Sequence, residues 1–233
     1  MERYWEITIL LEVYYTISDI GDRTENLDRS GHYNGKNWSL SYVIDGFEVC
    51  EPHYVDILEK ELESLILSLP SKTNEQILPS TISKALTNVQ GVEGKASVAF
   101  VICVDNIMSI LTAGDTRVYL LDSNERTIDD SVAQKIINEG KSPSTSLNRH
   151  PLRKYLLKNI HSGCDDSDLT IKKYENLENL IICSDGVWSR FKDDKDFFIS
   201  AKEGGNYLFN KAKNNINEKM DNMTILYLSP YKQ

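Results

Sequence analysis

The 233-residue chain is 40% hydrophobic and 26% charged, with 12 Gly and 6 Pro, the make-up of a globular domain rather than a disordered, collagenous or disulfide-built one. Its 35 acidic against 26 basic residues leave a formal net charge of −9, which argues against nucleic acid as a partner, because that affinity comes largely from Lys and Arg neutralising phosphates. No apolar run approaches the roughly 18 residues of a membrane span, and the opening MERYWEITILLEVYY lacks the basic start and small-residue cleavage site of a signal peptide. The four cysteines, Cys50, Cys103, Cys164 and Cys183, form no C-x-x-C pair. Cys103 and Cys183 lie in apolar runs, where a free thiol packs as a small hydrophobe. A reducing, cytoplasmic setting is expected.

In chain order, short β-rich apolar runs come first, at Ile7 to Ile17 and Trp38 to Ile44. In HYVDILEKELESLILSLP, Val55, Leu58, Leu62, Leu65, Ile66 and Leu69 recur at three and four residues, one helical stripe that stops at Pro70. A second helix is expected from about Gln76 to Val89. ASVAFVICVD and IMSILTAG, separated by Asn106, read as a hairpin, and RVYLLD follows as a strand. SVAQKIINEG predicts a short helix ending at Gly140, and HPLRKYLLKNI another with Pro151 in its first turn. DLTIKKYE and NLIICSDG read as strands, then a helix around Tyr207 to Ile216 and a last strand, MTILYLS. Grouped strands with short connections, and helices in pairs, favour an α+β layered sandwich in one domain.

The residues with chemical promise share one context. Asp45 ends YVID before Gly46, Asp185 ends IICSD before Gly186, and Asp115 ends ILTAGD. Asp221 precedes Asn222 and the strand MTILYL, and Asp28 lies in GDRTENLDRS with Arg23 in the same loop. Hard divalent ions take oxygen ligands, and strand-end carboxylates are rigidly placed yet border loops open to substrate. Asp-Gly and Asp-Asn are also common turn signals, so residue pattern alone leaves a metal site and a set of ordinary turns both open.

Order and spacing add a resemblance. Gly21, Arg23, Asn26 and Asp28 match a G-x-R-x-x-N-E-D-like opening, and VIDG with Asp45 and Gly46 matches a strand ending in D-G-H-G-G. Ala113-Gly-Asp-Thr-Arg-Val-Tyr119 nearly repeats A-G-D-S-R-V-Y, SVAQKIINEGKSPSTSLNRHPLRKYLL echoes a flap with H-P-x-R-N-x-L, Ser184-Asp-Gly-Val-Trp188 matches S-D-G-L-W, and Asp221-Asn-Met-Thr224 matches D-N-x-T. Across residues 21 to 228 the chain thus resembles the metal-dependent type 2C serine/threonine protein phosphatases, the bacterial branch in particular. The resemblance implies a four-layer α-β-β-α sandwich with two central antiparallel sheets, and a flap subdomain at about 123–170. It implies two Mn²⁺ or Mg²⁺ ions, bridged by Asp45, with the Gly46 carbonyl as a further ligand. Asp185 and Asp221 complete one ion, and Asp28 ligates the other or holds its waters. Arg23 holds the substrate phosphate, a task suited to a guanidinium fork. A water bridging the ions attacks phosphorus in line. The implied partners are a phosphorylated protein and an opposing serine/threonine kinase. With no transmembrane or sensor extension in the chain, regulation is expected from a separate partner.

The departures lie near this chemistry. Leu27 stands where the family has an acid or amide, Phe47 where it often has a histidine able to protonate the leaving group, and Ser189 where an aspartate helps to hold a third ion, so Asp115 is expected to bind a third ion weakly. General acid help is typically worth about 10²- to 10⁴-fold; Glu48 is a conceivable substitute acid. His150 and Arg153 read as packing or capping residues. His161 and Cys164, three apart, lack the second pair a zinc site needs. Two alternatives to an active phosphoprotein phosphatase are a feeble or inactive phosphatase-like module that binds phosphoproteins or a partner, and a phosphatase of small phosphometabolites.

Overall fold

The computed structural model describes residues 8–47, 53–215 and 219–232, and its strands fall into two antiparallel sheets. In chain order they are β1 (Ile9–Asp19), β2 (Asp28–Asn34), β3 (Trp38–Gly46), β4 (Lys95–Val104), β5 (Ile107–Ala113), β6 (Arg117–Leu120), β7 (Glu125–Arg126), β8 (Ile160–His161), β9 (Thr170–Tyr174), β10 (Leu180–Cys183) and β11 (Met223–Lys232). The helices are α1 (Tyr54–Leu67), α2 (Ile77–Asn88), α3 (Val132–Asn138), α4 (Asp185–Trp188), α5 (Asp194–Ala201) and α6 (Gly205–Lys213). One sheet runs β1-β11-β10-β6-β7 and the other β2-β3-β4-β5-β9, with β8 paired to the start of β4.

Strand periodicity explains the layering, because alternate side chains of each central strand enter different cores. Along β4, Ala96, Val98, Phe100, Ile102 and Val104 pack under α1 and α2, with Leu58, Leu62, Ile82 and Leu86. The intervening Ala99, Val101 and Cys103 meet Leu180, Ile182, Leu226 and Leu228 between the sheets. Ile181, Cys183, Met223 and Ile225 then face α5 and α6 through Phe197, Leu208 and Phe209. The result is an α+β sandwich of four layers, α-β-β-α, as expected. Strands covered on both faces read as near-continuous apolar runs, which is why VAFVICV and LIIC were legible as strands. At the β4–β5 hairpin Asp105 and Asn106 take positive φ angles of 47° and 70°, the pair of left-handed residues such a tight turn requires.

The elements depart from the expectations at several points. β2 is absent from the sequence reading because DRSGHYN has no apolar alternation; it exists by pairing with β3 from Asp28↔Asp45 to Asn34↔Ser39. α5 was likewise unforeseen. HPLRKYLLKNI is no helix: Arg153 N and Tyr155 N bond back only three residues, and the backbone is then drawn off to Asp130 and Val132 through Leu157 N→Asp130 O (2.7 Å) and Val132 N→Tyr155 O (2.9 Å). The last helix ends at Lys213, and Ile216, with Glu48 and Cys50, lies outside the described residues. No helix among the described residues is long and apolar enough to cross a membrane.

A fully buried arginine ties the layers at one end. Arg117 donates to both carboxylate oxygens of Asp129 (2.8 and 2.7 Å), to Asn148 Oδ1 (2.9 Å) and to Asp194 Oδ1 (3.1 Å). Its guanidinium lies 3.5 Å from the centre of the Trp188 ring. Burial alone would lower its pKa, but the facing Asp129 raises it above the ordinary arginine value. Removing one partner of a buried ion pair strands the other, at about 3–5 kcal/mol. Arg117→Met is expected to lower unfolding stability by that order in urea titration, and a loss under 1 kcal/mol would assign the network a surface-like role.

Candidate active site

The predicted aspartates come together at one end of the sandwich, where the two sheets meet. Asp28 opens β2 and Asp45 is the penultimate residue of β3, and the ladder sets them directly opposite each other. Asp185 follows β10 and Asp221 precedes β11, on the other sheet. Asp115 lies in the crossing from β5 to β6, which joins the two sheets.

Close backbone approach draws the loops together. A Cβ on Gly186 would stand 2.0 Å from the Asn222 carbonyl oxygen, so only glycine lets the Asp185 turn lie against the Asp221 turn. Gly21, at φ +63°, has Asp221 O 2.3 Å from where its Cβ would be. Asn222 then fastens the Arg23 loop: its Oδ1 accepts from Leu27 N (2.8 Å), and its Nδ2 donates to Ile20 O and Glu25 O (2.9 Å each).

Each carboxylate has a distinct environment. Asp28 is 3% exposed; Ser184 Oγ donates to its Oδ2 at 2.7 Å, while its Oδ1 is buried with no hydrogen-bond partner. Burial, with the charges of Asp185 and Asp221 adding to it, pushes the Asp28 carboxyl up to about 7. Asp45 accepts from Asp185 N at 3.3 Å, and burial with the Asp28 and Asp185 charges holds it well above the ordinary carboxylate range. Asp115 is raised for the same reasons, burial first and then Asp185. Its backbone is fixed from two sides, N–H donating to Ser97 Oγ (2.8 Å) and carbonyl accepting from Trp188 Nε1 (2.9 Å). Gly46 follows Asp45 against Leu27, its N donating to Leu27 O at 3.2 Å.

Two arginines face these groups. Arg23 forks onto Asp221 through Nε (2.7 Å) and Nη2 (2.6 Å), with side chains 58% and 38% exposed. Arg153 donates to Asp185 Oδ2 at 2.7 Å and lies 5.3 Å from the Trp188 ring centre. Sequence reasoning had set Arg153 aside as packing; nothing local pairs it with a residue 32 positions on. Ser184 and Ser97 were also missed, one hidden within S-D-G-V-W and the other in a plain strand start. Arg23, Arg153, Asp185 and Asp221, with Lys154, Ser189 and Lys219, line a cleft of about 450 Å³. Leu27 is instead buried under α1, and Phe47 stands 45% exposed at the strand end.

The donor set suits a hard divalent cation. It is all oxygen, it includes a buried carboxylate oxygen with no partner, and like charges set opposite on a ladder are unfavourable unless a cation offsets them. As the side chains stand, no group of three or more His, Cys, Asp or Glu among the described residues is gathered closely enough to hold an ion. Asp185 and Asp221 are turned instead onto Arg153 and Arg23.

No family model and no curated protein sequence matches the chain. Its fold does have close counterparts. The serine/threonine phosphatase Stp1 from Staphylococcus aureus superimposes with a TM-score of 0.77 at 21% identity, over 98% of each chain. The serine/threonine phosphatase PstP/Ppp of Mycobacterium tuberculosis gives 0.75 at 20%, over 94% of this chain and 98% of that one. A PstP catalytic domain in complex with two manganese ions gives 0.71 at 18%, over 96% and 99%. The chain therefore has the fold of the bacterial PPM-type serine/threonine phosphatases.

The raised Asp28 carboxyl sets a pH dependence. A folded pKa above the unfolded value of about 3.9 favours the fold below that value and loses the benefit as pH rises through about 7. In chelator-treated protein the melting temperature is expected to fall from pH 5 to 8, and to fall less in Asp28→Asn. A rise over that window would refute the assignment.

Proposed function

We propose that this protein is a divalent-metal-dependent phosphatase of phosphoserine and phosphothreonine in proteins. One observation carries the reading: Asp28 and Asp45 from one sheet and Asp185 and Asp221 from the other converge beside Arg23, on the fold of bacterial serine/threonine phosphatases. Asp28, Asp45, the Gly46 carbonyl, Asp185 and Asp221 would hold two Mn²⁺ or Mg²⁺ ions, and Asp115 a weak third. When bound, such ions act as Lewis acids on the phosphoryl oxygens and ease deprotonation of the attacking water.

The chain's own residues bind and orient the substrate. Arg23 is more than half exposed, and an ion pair so exposed is weak, about 0–1 kcal/mol. Its fork can therefore leave Asp221 for a phosphoryl dianion, which offers the same bidentate geometry. Leaving Asp221 also frees a carboxylate for a cation, so the two events favour each other. Arg153 pairs with Asp185 from the segment at about 123–170, which we assign as a flap over the cleft; with side chains only 10% and 19% exposed, this pair is held more firmly than that of Arg23. Phe47 follows β3 at the position where a histidine would protonate the leaving oxygen, so good leaving groups should be turned over best. Cys103, Cys164 and Cys183 are free and buried, in keeping with a reducing, cytoplasmic setting, and a serine/threonine kinase would supply the substrate.

The tests are p-nitrophenyl phosphate and a phosphothreonine peptide, with and without Mn²⁺. Turnover is expected only with the metal. Asp45→Asn should reduce it by more than the roughly 10- to 100-fold that loss of a supporting partner costs, while Arg23→Ala should act mainly on KM. Unchanged turnover in Asp45→Asn would sink the two-metal assignment. Phosphopeptide binding without turnover or measurable Mn²⁺ binding would favour a phosphatase-like binding module instead, a reading to which the guanidinium pairs on Asp185 and Asp221 lend some weight.

A further inference from the structure

A second cavity adjoins the cleft and carries the opposite charge to the protein as a whole. It has a volume of about 530 Å³ and is lined by Arg149, Arg190, Lys192 and Lys211, with Asp196 as its one carboxylate and Tyr207 on its wall. Four cations gathered round one hollow are unexpected in a chain of net charge −9. Asp196 accounts for Lys211, at 2.7 Å. Neither Arg149 nor Lys192 has a carboxylate within ion-pair distance among the described residues, and both side chains are exposed. Arg190 is held at its Nη1 by the Asn215 carbonyl (2.9 Å), and it lines the cleft of Arg23 and Asp185 as well. The two hollows thus share one wall.

We propose that this basic cavity is a subsite for a second anionic group of the substrate, a phosphoryl or carboxylate side chain flanking the phosphoresidue in the cleft. The proposal rests on the phosphatase reading and names its substrate class, acidic or multiply phosphorylated segments. The physical case is local. An extended peptide advances about 3.3 Å per residue, so flanking side chains of a segment anchored in the cleft pass over Arg190 into the neighbouring hollow within a few residues. An uncharged flank gains nothing there, and a basic flank meets four cations. An acidic or phosphorylated flank makes charge-assisted hydrogen bonds with Arg149 and Lys192, groups that have no carboxylate within ion-pair distance among the described residues. Charged groups gathered round a concave site also raise the local concentration of ligands of opposite sign, an effect that salt screens.

The experiment uses the full chain with Mn²⁺ and four phosphothreonine peptides of one core, flanked by alanines, glutamates, a second phosphothreonine, or lysines. p-Nitrophenyl phosphate serves as the flank-free control. The glutamate and doubly phosphorylated peptides are expected to show KM about tenfold below the alanine peptide, the scale of one charge-assisted contact, and the lysine peptide a KM above it. The double variant Arg149→Ala/Lys192→Ala should erase these differences and leave p-nitrophenyl phosphate turnover unchanged. Equal KM across the four peptides, with the control active, would overturn the subsite and leave the phosphatase reading standing. If nothing, the control included, is turned over, the phosphatase reading falls. Anisotropy of the same labelled peptides then decides the cavity alone. Acidic-flank binding lost in the double variant supports it, and binding independent of flank or variant overturns it. An unchanged melting temperature confirms that the variant folds; if it does not, Arg149→Gln and Lys192→Gln are used singly.

Discussion

Two carboxylates facing each other across an antiparallel ladder is an arrangement that sheets avoid, and the Asp28–Asp45 pair is the constraint around which the rest of the site is built. The repulsion is felt at low dielectric, where it is strongest, and two further carboxylates arrive from the opposing sheet. Raised pKa values at Asp28, Asp45 and Asp115 express this cost. The protein contains it by position rather than by neutralisation. Each aspartate sits at a strand end or in a crossing loop, held from behind by Ser184 Oγ, the Asp185 amide or Ser97.

That placement explains why so much of the sequence around the site is small or amidic. Gly21 and Gly186 allow carbonyl oxygens of the Asp221–Asn222 turn to pass 2.3 and 2.0 Å from where a side chain would begin, a contact no other residue permits. Asn222 binds two carbonyls and one amide of the Arg23 loop, so that loop and the Asp221 turn are fastened to each other. A one-residue slip of β2 against β3 would turn Asp28 to the opposite face of the sheet. Leu27 guards against it by burying its side chain in the α1–α2 core.

Legibility in the sequence followed from how local each signal was. Asp45 and Asp185 were readable because an apolar strand runs straight into Asp-Gly, and the layer order because doubly covered strands are continuously apolar. β2 was not readable: its stability lies wholly in its partner, and DRSGHYN carries no pattern of its own. HPLRKYLLKNI had helical spacing, yet backbone bonds to Asp130 and Val132 outcompete the helix. Arg153 could be assigned only in three dimensions, since its partner Asp185 is brought to it by the sheet. Arg117 is among the most deeply buried side chains, a place arginine rarely takes unless it is paired.

The contrast between Arg117 and Asp28 separates charges that hold the fold from charges that the fold holds ready. Around Arg117 every buried charge meets its opposite. Burial would raise Asp194, yet Arg117 and Arg126 outweigh it and hold the carboxyl below its usual range. Within the described residues that network is satisfied internally and asks for nothing from solution. Around Asp28 the balance fails in the other direction: burial and like charges outweigh every donor, and one oxygen is left without a partner. Trp188 stands between the two, its ring over Arg117 and its Nε1 on the Asp115 carbonyl. A rigid, neutralised cluster therefore buttresses a strained, uncompensated one. A protein that can neutralise buried charge so fully on one side of a tryptophan has the means to do so on the other, and its not doing so is the strongest physical reason to regard the aspartates as a binding site rather than as turns.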